Sequence, residues 1–128
     1  WLRGQVADVA QPQFLNLFGY TGVGSQALAS VGAHVTHVDA SKKSVAQARA
    51  NAELAGMADA PIRWIVDDAS KFAGREVRRG KRYDAILLDP PKYGRGPDGE
   101  RWELESDLAP LIADCARLLD KDSRALFL

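Results

Sequence analysis

The stretch that most constrains this chain is Phe14 to Ser25, FLNLFGYTGVGS, an apolar run followed by a glycine-rich turn and a helix start. A short apolar segment feeding such a turn reads as the first strand of an open α/β sheet, whose ligand crevice lies beyond the carboxyl ends of the strands. Gly19, Gly22 and Gly24 allow a sharp turn and a close approach of backbone to ligand that side chains would obstruct. The turn is therefore the expected seat of a nucleotide-like cofactor. Its glycine order is G-x-x-G-x-G, not the dinucleotide order G-x-G-x-x-G, so the turn alone does not name the ligand.

The rest of the chain alternates strand and helix. Gln26–Val31 reads as a helix stopped by Gly32, and His34–Val38 as a β-branched strand that ends on Asp39. Ser41 caps an Ala-rich helix through Leu54, closed by Gly56. Ile62–Val66 is a third strand ending on Asp67-Asp68, and a charged helix covers about Lys71 to Arg79 before Gly80. Tyr83–Leu88, almost wholly apolar at its end, reads as a strand buried on both faces, and it delivers Asp89-Pro90-Pro91-Lys92. A glycine-rich loop, Tyr93 to Gly99, leads to a helix at about Trp102 to Leu119, and Ala125–Leu128 begins a fifth strand. The pattern predicts a Rossmann-like, doubly wound parallel sheet of order 3-2-1-4-5 with its switch point beside strand 1.

Residues 1–13 read as a linker from a preceding region, and 14–128 as the ligand-binding domain. The start at Trp1 and the stop within the apolar Ala125-Leu126-Phe127-Leu128 point to a piece of a longer protein. Formal net charge is zero across the 128 residues, so RNA affinity has to be local or supplied elsewhere. The single Cys115 excludes an intrachain disulfide framework, and no run is long and apolar enough to span a bilayer. A cytoplasmic location is the expectation.

Three strand ends carry acid into one crevice. Asp39 lies about twenty residues past the first glycine, the offset at which a carboxylate accepts both hydroxyls of a ribose. Asp68, followed by the small Ala69, suits an exocyclic amine of a flat purine; Asp67 is the alternative, and either acid can instead cap the next helix. Asp89-Pro90-Pro91 is a stiff ledge, because prolines fix φ and hold the preceding residue extended, and a rigid ledge aligns a planar substrate with a cofactor.

Together, Leu15-Asn16-Leu17-Phe18-Gly19-Tyr20-Thr21-Gly22, Val38-Asp39-Ala40-Ser41, Asp67-Asp68-Ala69 and Asp89-Pro90-Pro91-Lys92 resemble the class I S-adenosylmethionine-dependent methyltransferases. More narrowly they are similar to the group that makes 5-methylcytosine in large-subunit ribosomal RNA. The resemblance implies that Phe18, Gly19, Tyr20, Thr21 and Gly22 wrap the methionine and adenosine parts of S-adenosylmethionine. It gives Asp39, with Ala40 and Ser41, the ribose, and Asp68, with Ala69, the adenine amine. Asp89, Pro90, Pro91 and Lys92 then face the target base, Asp89 also bordering the cofactor. The family's closing hairpin of strands 6 and 7 is lacking, and the 5-methylcytosine group's catalytic cysteine follows strand 5, beyond Leu128. Asn16 departs from the acid that many class I enzymes carry there.

Cys115, at helical spacing in Leu111–Leu119, reads as a small buried hydrophobe and not as a nucleophile. The basic cluster Arg75, Arg78, Arg79, Lys81 and Arg82 answers either to the helix C-terminal dipole or to RNA phosphates. The loop Tyr93–Gly99 is either a lid over the substrate or an ordinary connection, and His34 and His37 lack the spacing of a metal site. Two other functions compete with methyl transfer to an RNA base: a nicotinamide-dependent oxidoreductase, and an inactive cofactor-binding scaffold.

Overall fold

A computed structural model describes residues 12–119 and 125–127. Its strands are β1 (Gln13–Leu17), β2 (His34–Asp39), β3 (Ile62–Val66), β4 (Ala85–Leu88), β5 (Tyr93–Arg95), β6 (Arg101–Glu103) and β7 (Ala125–Phe127). The helices are α1 (Val23–Ala29), α2 (Lys42–Leu54), α3 (Ala69–Arg78) and α4 (Leu104–Leu118). Five strands form one parallel sheet in the order β3-β2-β1-β4-β7, which is the predicted 3-2-1-4-5 with β7 as the fifth strand. The linker reading falls on residues 1–11, which lie outside the described residues, and on Gln13, which opens β1.

Period-two alternation sorts β1 between two apolar layers. Leu15 and Leu17 pack with Val38, Ile86 and Leu88 under α3 and α4, in a core that includes Phe72, Leu111, Cys115 and Leu118. Phe14 faces the other way, with Val35, Ala85 and Leu28 of α1. Pairing of β1 runs from Gln13 opposite His34 to Leu17 opposite Val38, and from Phe14 opposite Ala85 to Leu17 opposite Leu88. This register brings the ends of β1, β2 and β4 to one edge. On the α3 side the buried Glu76 accepts a 2.8 Å hydrogen bond from the Tyr83 hydroxyl, and burial with that carboxylate drives the phenol pKa far above its ordinary value.

Local chemistry accounts for most helix ends. Ser41 accepts from the Ser44 amide at 3.1 Å and starts α2, and Gly32, Gly56 and Gly80 follow α1, α2 and α3 with left-handed φ of 92°, 75° and 69°. Several boundaries move. The first helix is Val23–Ala29 and not Gln26–Val31, because it starts directly from Gly22, and α3 starts at Ala69 because Asp68 caps it. The fourth strand begins at Ala85, Tyr83 forming only an isolated bridge to Leu119.

The largest correction is Tyr93–Gly99. Instead of a loop, residues 93–103 form an antiparallel hairpin, β5 with β6, and the helix after it starts at Leu104 rather than Trp102. Gly96 N donates to Glu100 O at 2.7 Å and Gly99 N to Gly96 O at 3.1 Å, closing the turn. The hairpin is fastened inward: Trp102, 4% exposed, donates its indole N–H to Pro91 O at 2.8 Å and meets the Phe18 ring at 5.0 Å. Lys71 of α3 reaches the turn through a 2.8 Å ion pair with Glu100, which holds the Glu100 carboxyl below its ordinary value and the Lys71 ammonium above it.

Candidate cofactor and substrate cleft

At the carboxyl edge of the sheet lies a cleft of about 440 Å³, within the usual range for small-molecule sites. Its first wall is the turn after β1. Phe18 and Tyr20 line it, and both sit at left-handed φ, 59° and 49°, at roughly 1–2 kcal/mol each for non-glycine residues. Backbone pairing holds them there: Gly19 N donates to Val38 O at 3.0 Å, and Gly22 N to Gly19 O at 3.0 Å. The glycines serve different ends. Only Gly22, φ 85°, needs left-handed freedom, whereas Gly19 is required because a Cβ there would collide with the His37 imidazole.

That imidazole belongs to a buried polar chain beneath the turn. Asn16 Nδ2 donates to Ser25 Oγ at 2.9 Å, and Ser25 Oγ lies 2.9 Å from His37 Nδ1. His37 is fully buried, meets the Trp64 ring in a tilted contact at 5.0 Å and has no hydrogen-bond partner for Nε2. Burial lowers its pKa, against the opposing pull of Asp39 and the Tyr20 backbone, so the ring is neutral. Asn16 thus supports the turn from below.

The second wall is the end of β2. Both carboxylate oxygens of Asp39 are fixed by backbone amides, Oδ2 by Tyr20 N at 3.0 Å and Oδ1 by Ser41 N at 2.9 Å. Each oxygen has a further lone pair to offer, and Ala40 and Ser41 line the cleft beside it. At the end of β3, Asp68 is 8% exposed and accepts from Lys71 N at 2.9 Å through Oδ2, so it caps α3 and lines the cleft at once. Asp67 is engaged elsewhere, Oδ2 pairing with Arg75 at 2.6 Å and Oδ1 accepting from Asp68 N at 2.8 Å. Ala69, at the first helical position, has an amide with no intrahelical acceptor.

The third wall comes from β4 and the hairpin. Asp89, Pro90 and Pro91 line the cleft opposite Asp39, followed by Gly94, Arg95 and Trp102. Of the residues singled out in the sequence, Phe18, Tyr20, Asp39, Ala40, Ser41, Asp67, Asp68, Ala69, Asp89, Pro90 and Pro91 meet here, Asp67 with its carboxylate paired to Arg75. Gly19, Thr21, Gly22 and Lys92 do not line it: the glycines shape the turn from behind, Thr21 O accepts from Asn51 Nδ2 at 3.2 Å, and Lys92 points its ammonium over the Tyr93 ring at 5.8 Å. Gly94 and Arg95 fall in the segment read as either a lid or an ordinary connection, and sequence reasoning missed Trp102, whose signal was its place after an Asp-Gly pair.

Cys115 is fully buried in α4, and burial with the neighbouring Asp114 carboxylate pushes its thiol up to about 12. It is no nucleophile near neutral pH. Among the described residues no cluster of His, Cys, Asp and Glu is arranged to hold a metal ion, and no helix is long and apolar enough to cross a membrane.

The model of the family described as conserved hypothetical protein 95 matches residues 1–98. The chain belongs to that family. It is also 37% identical over 87 residues to ribosomal RNA large subunit methyltransferase I of Klebsiella pneumoniae, an alignment covering 66% of this chain and 22% of that protein. The chain thus spans about a fifth of the length of that curated relative. Among solved structures it is similar to a SAM-dependent methyltransferase from Agrobacterium tumefaciens, with 51% identity and a TM-score of 0.92 over 96% of this chain and 40% of the other. A methyltransferase solved in complex with SAH, SMU.776, matches at 30% identity and a TM-score of 0.78 over 94% of this chain and 32% of its own. The α/β sheet and its strand order are those of class I methyltransferases.

Proposed function

We propose that the chain is the S-adenosylmethionine-binding part of an enzyme that methylates a base of RNA, ribosomal RNA foremost. The observation that carries this reading is the charge of the cleft: Asp39, Asp68 and Asp89, none of them in an ion pair among the described residues, line it with Arg95, while Asp67, also in the lining, is paired with Arg75. Such a cleft favours a cationic ligand and disfavours the pyrophosphate of a nicotinamide dinucleotide. The likeness to a methyltransferase solved with SAH supports the cofactor, and the printed name of the Klebsiella relative supports the acceptor.

When bound, the cofactor supplies a methyl group on a positively charged sulfur. Asp39, already oriented by two amides, receives the ribose hydroxyls through its remaining lone pairs. Asp68 Oδ1, left over from the cap, accepts from the adenine amine, with Ala69 leaving room for the ring. Phe18, Tyr20 and the turn around Gly19, Thr21 and Gly22 enclose the methionine end. Asp89, Pro90 and Pro91 present the target base, with Lys92 beside them over the Tyr93 ring, and Trp102 holds the ledge through Pro91 O. Methyl transfer then needs alignment of donor and acceptor more than acid–base chemistry.

As the finer assignment we propose carbon-5 of cytosine, on the motif resemblance. That reaction uses a thiolate at carbon-6 of the base, and Cys115 is buried away from the cleft, so the thiol comes from outside the described residues. Calorimetric titration with S-adenosylhomocysteine and, separately, NAD tests the cofactor. Binding of the first alone, lost in Asp39→Ala, is the expected result, whereas NAD binding overturns the reading. Mass spectrometry of nucleosides from RNA treated with the protein and cofactor tests the acceptor, and any methylated nucleoside other than 5-methylcytidine sinks the finer assignment.

A further inference from the structure

The hairpin places side chains on its two faces in strict alternation. Its inner face carries Gly94 and Trp102, directly opposite each other, against Pro91 and Phe18. The outer face carries Tyr93 opposite Glu103 and Arg95 opposite Arg101. Two guanidinium groups facing each other across a ladder repel, and a hairpin gains nothing structural from the arrangement. Arg101 is partly neutralised by Glu103 at 3.1 Å, but Arg95 has no ion pair among the described residues. Tyr93 is 67% exposed with the Lys92 ammonium over its ring, and the Arg101 side chain is 73% exposed. Arg95 also lines the cleft, so this cationic, aromatic face continues from the Asp-Pro-Pro ledge.

We propose that the outer face of the hairpin, Tyr93, Arg95 and Arg101, binds the single-stranded RNA that flanks the base presented to the cleft. The opposed guanidiniums hold one backbone phosphate between them, which turns their repulsion into a paired, charge-assisted contact. Tyr93 offers its open ring to a neighbouring base, a sequence-tolerant stacking contact. The inference rests on an RNA base being the acceptor. In a chain of zero net charge RNA affinity has to be local, and this face places Lys92, Arg95 and Arg101 beside the site.

The test is binding of a labelled single-stranded oligoribonucleotide over a salt series, with S-adenosylhomocysteine affinity measured in parallel as the readout of an intact cleft. R95Q/R101Q weakens RNA binding on the order of tenfold and flattens the slope of log affinity against log salt by about 0.7, the value for the one phosphate the pair holds. Tyr93→Leu weakens binding at unchanged slope, by about tenfold. A double variant of equal charge change at remote ion pairs, R49Q/R117Q, leaves affinity and slope as they were. Cofactor-product affinity is unchanged in Tyr93→Leu and R49Q/R117Q, whereas R95Q/R101Q, which removes a cleft-lining charge, is read by its RNA affinity and salt slope. If the parent binds and methylates RNA while R95Q/R101Q matches it in affinity and slope, the hairpin surface is refuted and the RNA reading stands. A parent that binds S-adenosylhomocysteine but neither binds nor methylates RNA overturns both.

Discussion

Asp39 shows how a single carboxylate is prepared for a ligand. Its two oxygens are aimed by the Tyr20 and Ser41 amides before anything arrives, so a diol meets acceptors that need no reorganisation. Asp39→Asn keeps the size and removes the charge, and calorimetry should register a loss of S-adenosylhomocysteine affinity of about 10- to 100-fold with thermal stability little changed. Gly19 and His37 form a steric pair. Gly19→Ala alone should cost about 1–3 kcal/mol in denaturant unfolding, and less in a His37→Ala background, a coupling that a double-mutant cycle reads directly. Cys115, held near 12 by burial, should resist thiol reagents until the chain is unfolded. Asp39 and Asp89 were legible in the sequence because each follows an apolar strand. The double duty of Asp68 and the pairing of Asp67 with Arg75 were not, since a cap and an ion pair depend on where a helix eight residues long or more chooses to begin. Arg75, one of five residues in the apparent basic cluster, thereby becomes a partner inside the fold.

At the scale of elements, the hairpin is where sequence reasoning failed, and for a physical reason. Strands of three residues are too short to display alternation, and Gly94, Gly96, Pro97 and Gly99 dilute what pattern there is. The Asp98-Gly99 pair was the available turn signal. What makes the hairpin is tertiary: the Trp102 indole docked on Pro91 O and the Lys71–Glu100 pair from α3. Trp102→Phe preserves most of the packing and removes the donor, leaving the Pro91 carbonyl short of a partner. It should destabilise the protein by about 1–3 kcal/mol and raise the Michaelis constant for RNA more than that for cofactor. The Ser41 cap, by contrast, was readable from local chemistry alone, and Ser41→Ala should lower stability by about 1 kcal/mol.

For the molecule as a whole, the strand order followed from alternation of elements and the right-handed crossover, which leave few topologies open. Its pH response is set by the one buried imidazole among the described residues. The His37 pKa lies below its ordinary 6.5 in the folded state, so the unfolded chain binds the proton more tightly. Stability is therefore full above about pH 6.5 and falls as the pH descends from there towards the folded value. His37→Gln should flatten the midpoint temperature between about pH 7 and pH 5; Glu100, whose carboxyl is also depressed, acts only at more acidic pH. The central strand has a further consequence for synthesis. β1 finds β2 soon after it is made, but its other flank waits for β4, and the Gln13 amide for the Asp84 carboxylate 71 residues later. Without β4 the chain has the glycine turn and Asp39 yet no Asp-Pro-Pro wall, so the cleft closes only when segments some seventy residues apart in sequence have met.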